Sequence, residues 1–255
     1  MIDIHCHILP GIDDGAADES VALAMARQAV DEGITELVAT PHHRNRHWNN
    51  PKAEVIREVA NLNERLNANG IPLTVLPGQE VRLFGEINEP ALQEELVTVN
   101  NARSYMLVEF PTTQVPHYAA QVFFNLQTRG ITPIIVHPER NQVFLDHPEQ
   151  LFQFINDGVL AQVTAASVIG KSGRKEQRVA CQFLENNLAQ FIASDAHNVT
   201  ERPFYIRAAE TYIKHAYGSP MINQLSENAA QIVRGVPISR DEPIPIQKKK
   251  FLGLF

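Results

Sequence analysis

The sequence predicts an α/β fold in which parallel strands close into a barrel. Three observations predict it. Short apolar runs alternate with longer amphipathic segments along all but the last part of the 255 residues. The helical segments repeatedly stop at glycine, at Gly33, Gly70, Gly130 and Gly158. Ligand-type polar residues recur at the ends of the apolar runs, where packing gives them no obvious use. Strand–helix alternation implies parallel pairing through right-handed crossovers. Seven such strands can close on themselves, with function at their C-terminal ends.

In order, the strand segments are Ile2–His5, Glu36–Thr40, Leu73–Leu76, Tyr105–Phe110, Thr132–His137, Ala161–Thr164 and Ala189–Ser194. Helical patterns lie between them near 18–32, 52–68, 116–129, 148–157, 173–187 and 203–217. In the first, Val21, Ala24, Met25 and Ala29 share a face, with Asp18 as N-cap and Gly33 as stop. Residues 1–235 read as one domain with no linker or repeat. Residues 236–255 read as a tail, because three prolines discourage regular structure there. Its end, Lys248, Lys249 and Lys250 followed by Phe251, Leu252, Leu254 and Phe255, is read first as solvated. The same residues also suit an anionic membrane surface or a partner.

Composition narrows the function. A net charge of −7 argues against a general nucleic-acid binder. Two cysteines, Cys6 and Cys181, are too few for a disulfide framework. No basic stretch followed by an apolar segment opens the chain, and no apolar run has the ~20 residues of a membrane span. The expectation is a cytoplasmic enzyme.

The chemistry sits in nine residues: His5, His7, Asp14, His42, Glu80, Glu109, His137, Asp195 and His197. A strand sends residues i and i+2 to one side, so His5 pairs with His7 and Asp195 with His197. Only imidazole and carboxylate are offered. Nine mixed N/O donors exceed one ion and suit two or three of Mn²⁺, Fe²⁺ or Zn²⁺. Three divalent ions would outweigh the four carboxylates by roughly two charges, a centre that attracts a phosphate dianion. Arg140 and Arg202 each follow a ligand closely and suit bidentate contact with phosphate oxygens. Cys6 should face away from His5 and His7, as a small core residue. A cysteine phosphatase needs Cys-x5-Arg, but Ile12 and Asn187 stand at the sixth position after the two cysteines. The segment Arg44–Asn50, with Trp48, is expected at the mouth or in the core.

These residues resemble the polymerase-and-histidinol-phosphatase (PHP) family of metal hydrolases. His-Cys-His-Ile-Leu-Pro-Gly-Ile-Asp-Asp-Gly is similar to the opening of its bacterial tyrosine-protein phosphatases, those encoded with capsular and exopolysaccharide genes. Ala-Thr-Pro-His-His, Pro-Gly-Gln-Glu, Val-Glu-Phe, His-Pro-Glu-Arg and Ser-Asp-Ala-His-Asn follow in order. The resemblance implies a distorted (β/α)7 barrel with a trinuclear, manganese-supported centre. It assigns His5, His7, Glu80 and Asp195 to one ion, and Glu80, Glu109 and His137 to a second. Asp14, His42 and His197 go to the third, and Arg140 and Arg202 contact phosphate. It implies hydrolysis of phosphotyrosine by a metal-bridging hydroxide, on a membrane-associated bacterial tyrosine kinase and its substrates. The rival readings are a small-molecule phosphatase such as a histidinol-phosphatase, a nuclease-like hydrolase, and a non-catalytic metal-binding module. His43, beside a ligand, is a weak candidate for the general acid.

Overall fold

The computed structural model describes residues 1–89, 92 and 94–247. The chain opens with β1 (Ile2–Cys6), α1 (Glu19–Glu32), β2 (Glu36–Ala39), β3 (His42–His43), α2 (Lys52–Ala68), β4 (Thr74–Pro77) and β5 (Glu80–Arg82). It continues through β6 (Tyr105–Glu109), α3 (Ala119–Gln127), β7 (Thr132–Val136), α4 (Gln142–Asp146), α5 (Gln150–Asn156) and β8 (Leu160–Thr164). It ends with α6 (Ala165–Val168), α7 (Arg174–Glu185), β9 (Phe191–Ala193), α8 (Ile206–Tyr217) and α9 (Ser219–Val233).

The strand pairings are parallel, as expected. A single closed sheet is not formed. Among the described residues the strands make a three-stranded sheet, β1-β2-β4, and a six-stranded one, β3-β5-β6-β7-β8-β9. Two of the seven expected strand positions are broken in the middle. Pro41, which has no N–H to donate to a ladder, separates β2 from β3. Gly78 and Gln79 separate β4 from β5. The first and last strands still meet: Asp195 N donates to His5 O and His7 N to Ala196 O, both at 2.9 Å, around a lone bridge between Cys6 and Ala196.

One irregularity matters for function. Between Asp3 and Cys6, β1 carries one residue more than the facing stretch of β2. Such a bulge re-aims side chains. Ile4 joins the smaller of two apolar clusters, with Val38, Leu107, Ile134 and Phe191. Cys6 joins the larger one, beneath the helices. His5 and His7 are left to face each other.

The helices follow the same logic. Asp18 accepts from Val21 N and caps α1. The buried stripe is Ala22, Met25, Ala26 and Ala29: Met25 and Ala29 are buried as expected, while Ala22 and Ala26 take the place of Val21 and Ala24, as the i, i+3, i+4, i+7 spacing selects. α9 lies where the sequence pattern suggested no element. It packs on β1 and β9, but part of its buried face is Asn228 and Ala229, which weakens its apolar signal. No helix among the described residues is long and apolar enough to cross a membrane. Residues 236–247 form neither helix nor strand but are pinned by backbone contacts. Tyr105 Oη donates to Val236 O, Arg240 Nη1 to Ile155 O and Ile244 N to Asn186 O, each at 2.9 Å. Lys248–Phe255, the basic and apolar end singled out above, lies outside the described residues.

Candidate metal centre

All nine candidates meet in one network. His5 and His7 place their Nε2 atoms 3.3 Å apart. Glu80 Oε2 lies 3.6 Å from His5 Nε2 and 3.4 Å from His7 Nε2. Asp195 Oδ1 lies 3.5 and 3.4 Å from the same two atoms. His42 is 2.8 Å from Glu80 and 3.8 Å from Glu109 through Nδ1, and 3.4 Å from Asp14 through Nε2. His137 Nε2 is 2.7 Å from Glu80 Oε1, and His197 Nε2 is 3.5 Å from Asp14. Eight of the nine are buried or nearly so; the Asp14 side chain, 39 % exposed, marks the mouth.

Strand ends alone do not aim these groups. His137 and Asp195 adopt left-handed backbone, with φ of 36° and 52°. This conformation costs non-glycine residues roughly 1–3 kcal/mol and turns the chain just past β7 and β9. Gly15 closes the loop that carries Asp14 against His7: a Cβ there would lie 2.0 Å from His7 O.

The electrostatics fit bound cations. His42 Nδ1, Glu80 Oε2, Glu109 Oε2 and His197 Nε2 are buried and make only ion-pair contacts, with no aligned hydrogen bond. Burial opposes ionisation of Glu80, but His42, His5 and His137 hold it well below the usual carboxylate range. Burial likewise opposes charge on His42, yet Glu80 and Asp14 raise it to about 10. Burial, with Glu80 alongside, pushes Glu109 up. Burial and the neighbouring His7 lower His197 to about 4. The carboxylates thus attract positive charge, and protonated imidazoles supply it here. Three donor groups have metal-like spacing: His5, His7 and Glu80; His42, Glu80 and Glu109; and His7, Asp14, His42 and His197. They differ from the expected partition in three places: Asp195 is missing from the first group, His42 stands where His137 was expected in the second, and His7 is added to the third.

Several contributing residues escaped the sequence reading. Asp13 Oδ2 accepts from His7 Nδ1 at 2.7 Å and from His42 N at 3.2 Å. A carboxylate only accepts, so Nδ1 carries a proton and Nε2 is the nitrogen left to meet the cluster. Gln162 Oε1 does the same for His5 Nδ1 at 2.9 Å. Arg82 Nη2 lies 2.9 Å from Glu109 Oε2. The signals were weak but present: an acidic doublet in the first loop, a glutamine inside an apolar strand, and an arginine two residues after Glu80.

Arg140 and Arg202 converge on Asp195 Oδ2, Arg202 at 2.8 Å. Together with His7 and His5 they hold Asp195 well below the usual carboxylate range despite its burial. A cavity of about 250 Å³ opens beside them, walled on the apolar side by Phe110, Pro138 and Phe144. Trp48 is half-buried and stacks on His42 with ring centroids 5.5 Å apart. It lines a second opening of about 470 Å³ over Asp14, His42 and Glu109, so it belongs to the mouth and not the core. His43 is fully buried and lines neither opening, which removes it as a general acid. Cys6 is buried, as expected of a small core residue; its Sγ faces Ala196 O at 3.5 Å and burial raises its thiol pKa further.

Parallel strands that deliver imidazole and carboxylate to one rim, beside two arginines, define a metal-binding α/β protein. The chain belongs to the capsular polysaccharide synthesis family CpsB/CapC, which it matches over residues 1–234. Among its relatives is the tyrosine-protein phosphatase YwqE of Bacillus subtilis, 42% identical over 255 residues that span 100% of both chains. The tyrosine-protein phosphatase CpsB of Streptococcus agalactiae is 27% identical, covering 92% of this chain and 98% of its own. The crystal structure of YwqE, described with CpsB of Streptococcus pneumoniae as unique metal-dependent tyrosine phosphatases, superposes with a TM-score of 0.94 at 42% identity. It covers 97% of this chain and 100% of that one. An organophosphorus hydrolase from Deinococcus radiodurans, with a TM-score of 0.52, 15% identity and coverage of 89% and 91%, shares the fold alone.

Proposed function

We propose that this protein is a metal-dependent protein-tyrosine phosphatase. The observation that carries the reading is that the nine-residue imidazole–carboxylate network, seven members of which line one cavity, meets Arg140 and Arg202 on that cavity's wall. The family supports it, as do relatives named tyrosine-protein phosphatases.

His5, His7, Asp14, His42, Glu80, Glu109, His137, Asp195 and His197 would hold up to three divalent ions. The donor set has no thiolate and suits Mn²⁺. Such ions supply Lewis acidity towards phosphate oxygens and lower the pKa of water towards ~7. The rest falls to the chain. Arg140 and Arg202, already oriented by Asp195, bind the phosphate oxygens and stabilise charge as the P–O bond breaks. Phe110, Pro138 and Phe144 give the phenyl ring an apolar wall, and Trp48 gives it a platform at the mouth. The leaving phenolate has a pKa near ~10, so it needs less protonation than an alkoxide. Asp13 and Gln162 keep His7 and His5 in the tautomer that exposes Nε2.

Three further assignments complete the reading. The two sheets serve as one distorted seven-position barrel, which the His5–Asp195 and His7–Ala196 bonds support. Residues 1–235 act as one unit and 236–255 as a tail. The substrate is a phosphotyrosine protein in the cytoplasm, a membrane-associated tyrosine kinase being the candidate.

Chelation should abolish hydrolysis of a phosphotyrosine peptide, Mn²⁺ should restore it, and thiol alkylation should leave it intact. Full activity in excess EDTA would end the metal reading. Faster turnover of histidinol phosphate or of a single-stranded oligonucleotide would replace the substrate class.

A further inference from the structure

Arg140 and Arg202 are not the edge of the site but a partition in it. Beyond them lies another cavity of about 300 Å³, which shares Arg140, Asp195 and Arg202 with the metal-lined one and adds Lys171, Ser172, Glu201 and Tyr205. Both arginines are committed to Asp195. Lys171 is exposed, and its ammonium has no carboxylate within ion-pairing distance among the described residues. Its neighbour is the ring of Tyr205, 5.9 Å from Nζ to the centroid. It is thus the uncommitted cation of this cavity.

The surroundings fix the turn that carries that cation. Lys171 and Ser172 sit between Gly170 and Gly173, whose φ angles of 79° and 132° are open to glycine and strained for other residues. The turn is tied down by Lys171 N and Ser172 N, both donating to Ala166 O, and by Ser167 Oγ, which donates to Ser172 Oγ at 3.3 Å. Across the cavity Tyr205 carries its ring on a left-handed backbone, φ 53°, at the start of α8. Bulky residues seldom adopt that conformation, and it clusters at ligand sites.

We infer that this cavity is a specificity subsite in which Lys171 binds an acidic side chain next to the phosphotyrosine of the substrate. The inference rests on the phosphotyrosine reading above. Successive Cα atoms are ~3.8 Å apart, so a residue one or two positions from a phosphotyrosine in the first cavity reaches the second across the arginine partition. A carboxylate there meets Lys171 and the Ser172 hydroxyl. Glu201 sets the limit on how much negative charge the subsite accepts. In a chain of net charge −7, which repels acidic peptides overall, this local cation sets which acidic sequence is held.

The test compares kcat/KM, with Mn²⁺ present, for a phosphotyrosine peptide with glutamate on both sides of the phosphotyrosine and the same peptide with glutamine there. Wild type should favour the glutamate peptide about fivefold, mostly through KM, as a partly exposed ion pair permits. High salt should erase the preference. Lys171→Met, which keeps the apolar stem, should remove it; Lys171→Arg should restore it; Glu201→Gln should enlarge it. The subsite is overturned by a wild type with no preference, or by a Lys171→Met enzyme that slows equally on both peptides. A wild type that cleaves neither peptide refutes the phosphotyrosine reading itself. Activity on both peptides with no dependence on Lys171 refutes the subsite alone.

Discussion

Asp13 offers the sharpest test of how the centre is built. Its two oxygens divide the work: Oδ1 accepts from Gly15 N at 2.9 Å, and Oδ2 accepts from His7 Nδ1 at 2.7 Å and from His42 N at 3.2 Å. In Asp13→Asn one oxygen becomes an NH₂. If the remaining oxygen stays with Gly15, the amide donor meets His7 Nδ1. That nitrogen must then accept, and the imidazole proton moves to Nε2. Nε2 is the atom that faces His5, Glu80 and Asp195, so its lone pair is lost to the cluster. If the amide turns the other way, Gly15 N loses its acceptor and the loop carrying Asp14 loosens. Either way metal affinity should fall about 10–100-fold, the usual effect of removing a partner that orients a ligand, or ~1.4–2.7 kcal/mol. Calorimetric titration of Mn²⁺ into chelator-treated protein reads this directly, with circular dichroism to confirm the fold. Wild-type affinity in Asp13→Asn would refute the tautomer argument.

Two other expectations follow from the same geometry. Arg140→Ala should cut kcat on a phosphotyrosine peptide about 10²–10³-fold, as for loss of one donor to a developing charge, while bound metal measured by elemental analysis stays at wild-type stoichiometry; wild-type kcat would remove Arg140 from the site. Burial raises Asp3 from 3.8 to about 6, against hydrogen bonds from Ser194. The folded chain therefore keeps a proton that the unfolded chain releases, and this contribution, ~3 kcal/mol, is full below pH ~4 and lost as pH rises through 6. Denaturant unfolding of metal-free protein between pH 4 and 7 should show that loss in wild type and lack it in Asp3→Asn; equal pH slopes would contradict it.

The limits of legibility are physical. The strand segments were readable because buried parallel strands are near-continuous apolar runs. The breaks at Pro41 and Gly78 were harder to weigh, because whether a ladder resumes beyond a break depends on the neighbouring strand. α9 was missed because Asn228 supplies part of its buried face. It is satisfied there by donating to Gln190 O at 3.1 Å, a partner that no local pattern reveals. Trp48 was ambiguous for a related reason: an aromatic in a loop fits core or mouth equally well until the stack on His42 is seen.

By itself, the sequence determined the chemistry on offer: five imidazoles, four carboxylates, two arginines and no thiolate loop, with His5 and His7 paired by strand geometry. Those are properties of residue type and of a spacing of two, independent of how the chain folds. Tertiary structure decided which groups orient the ligands and where the substrate can go. Asp13 acts on His7 across a loop, Gln162 on His5 across 157 residues, and Lys171 stands behind an arginine partition built from two other segments. Each depends on the closure of distant chain segments, which packing of the whole α/β core fixes and no local pattern encodes.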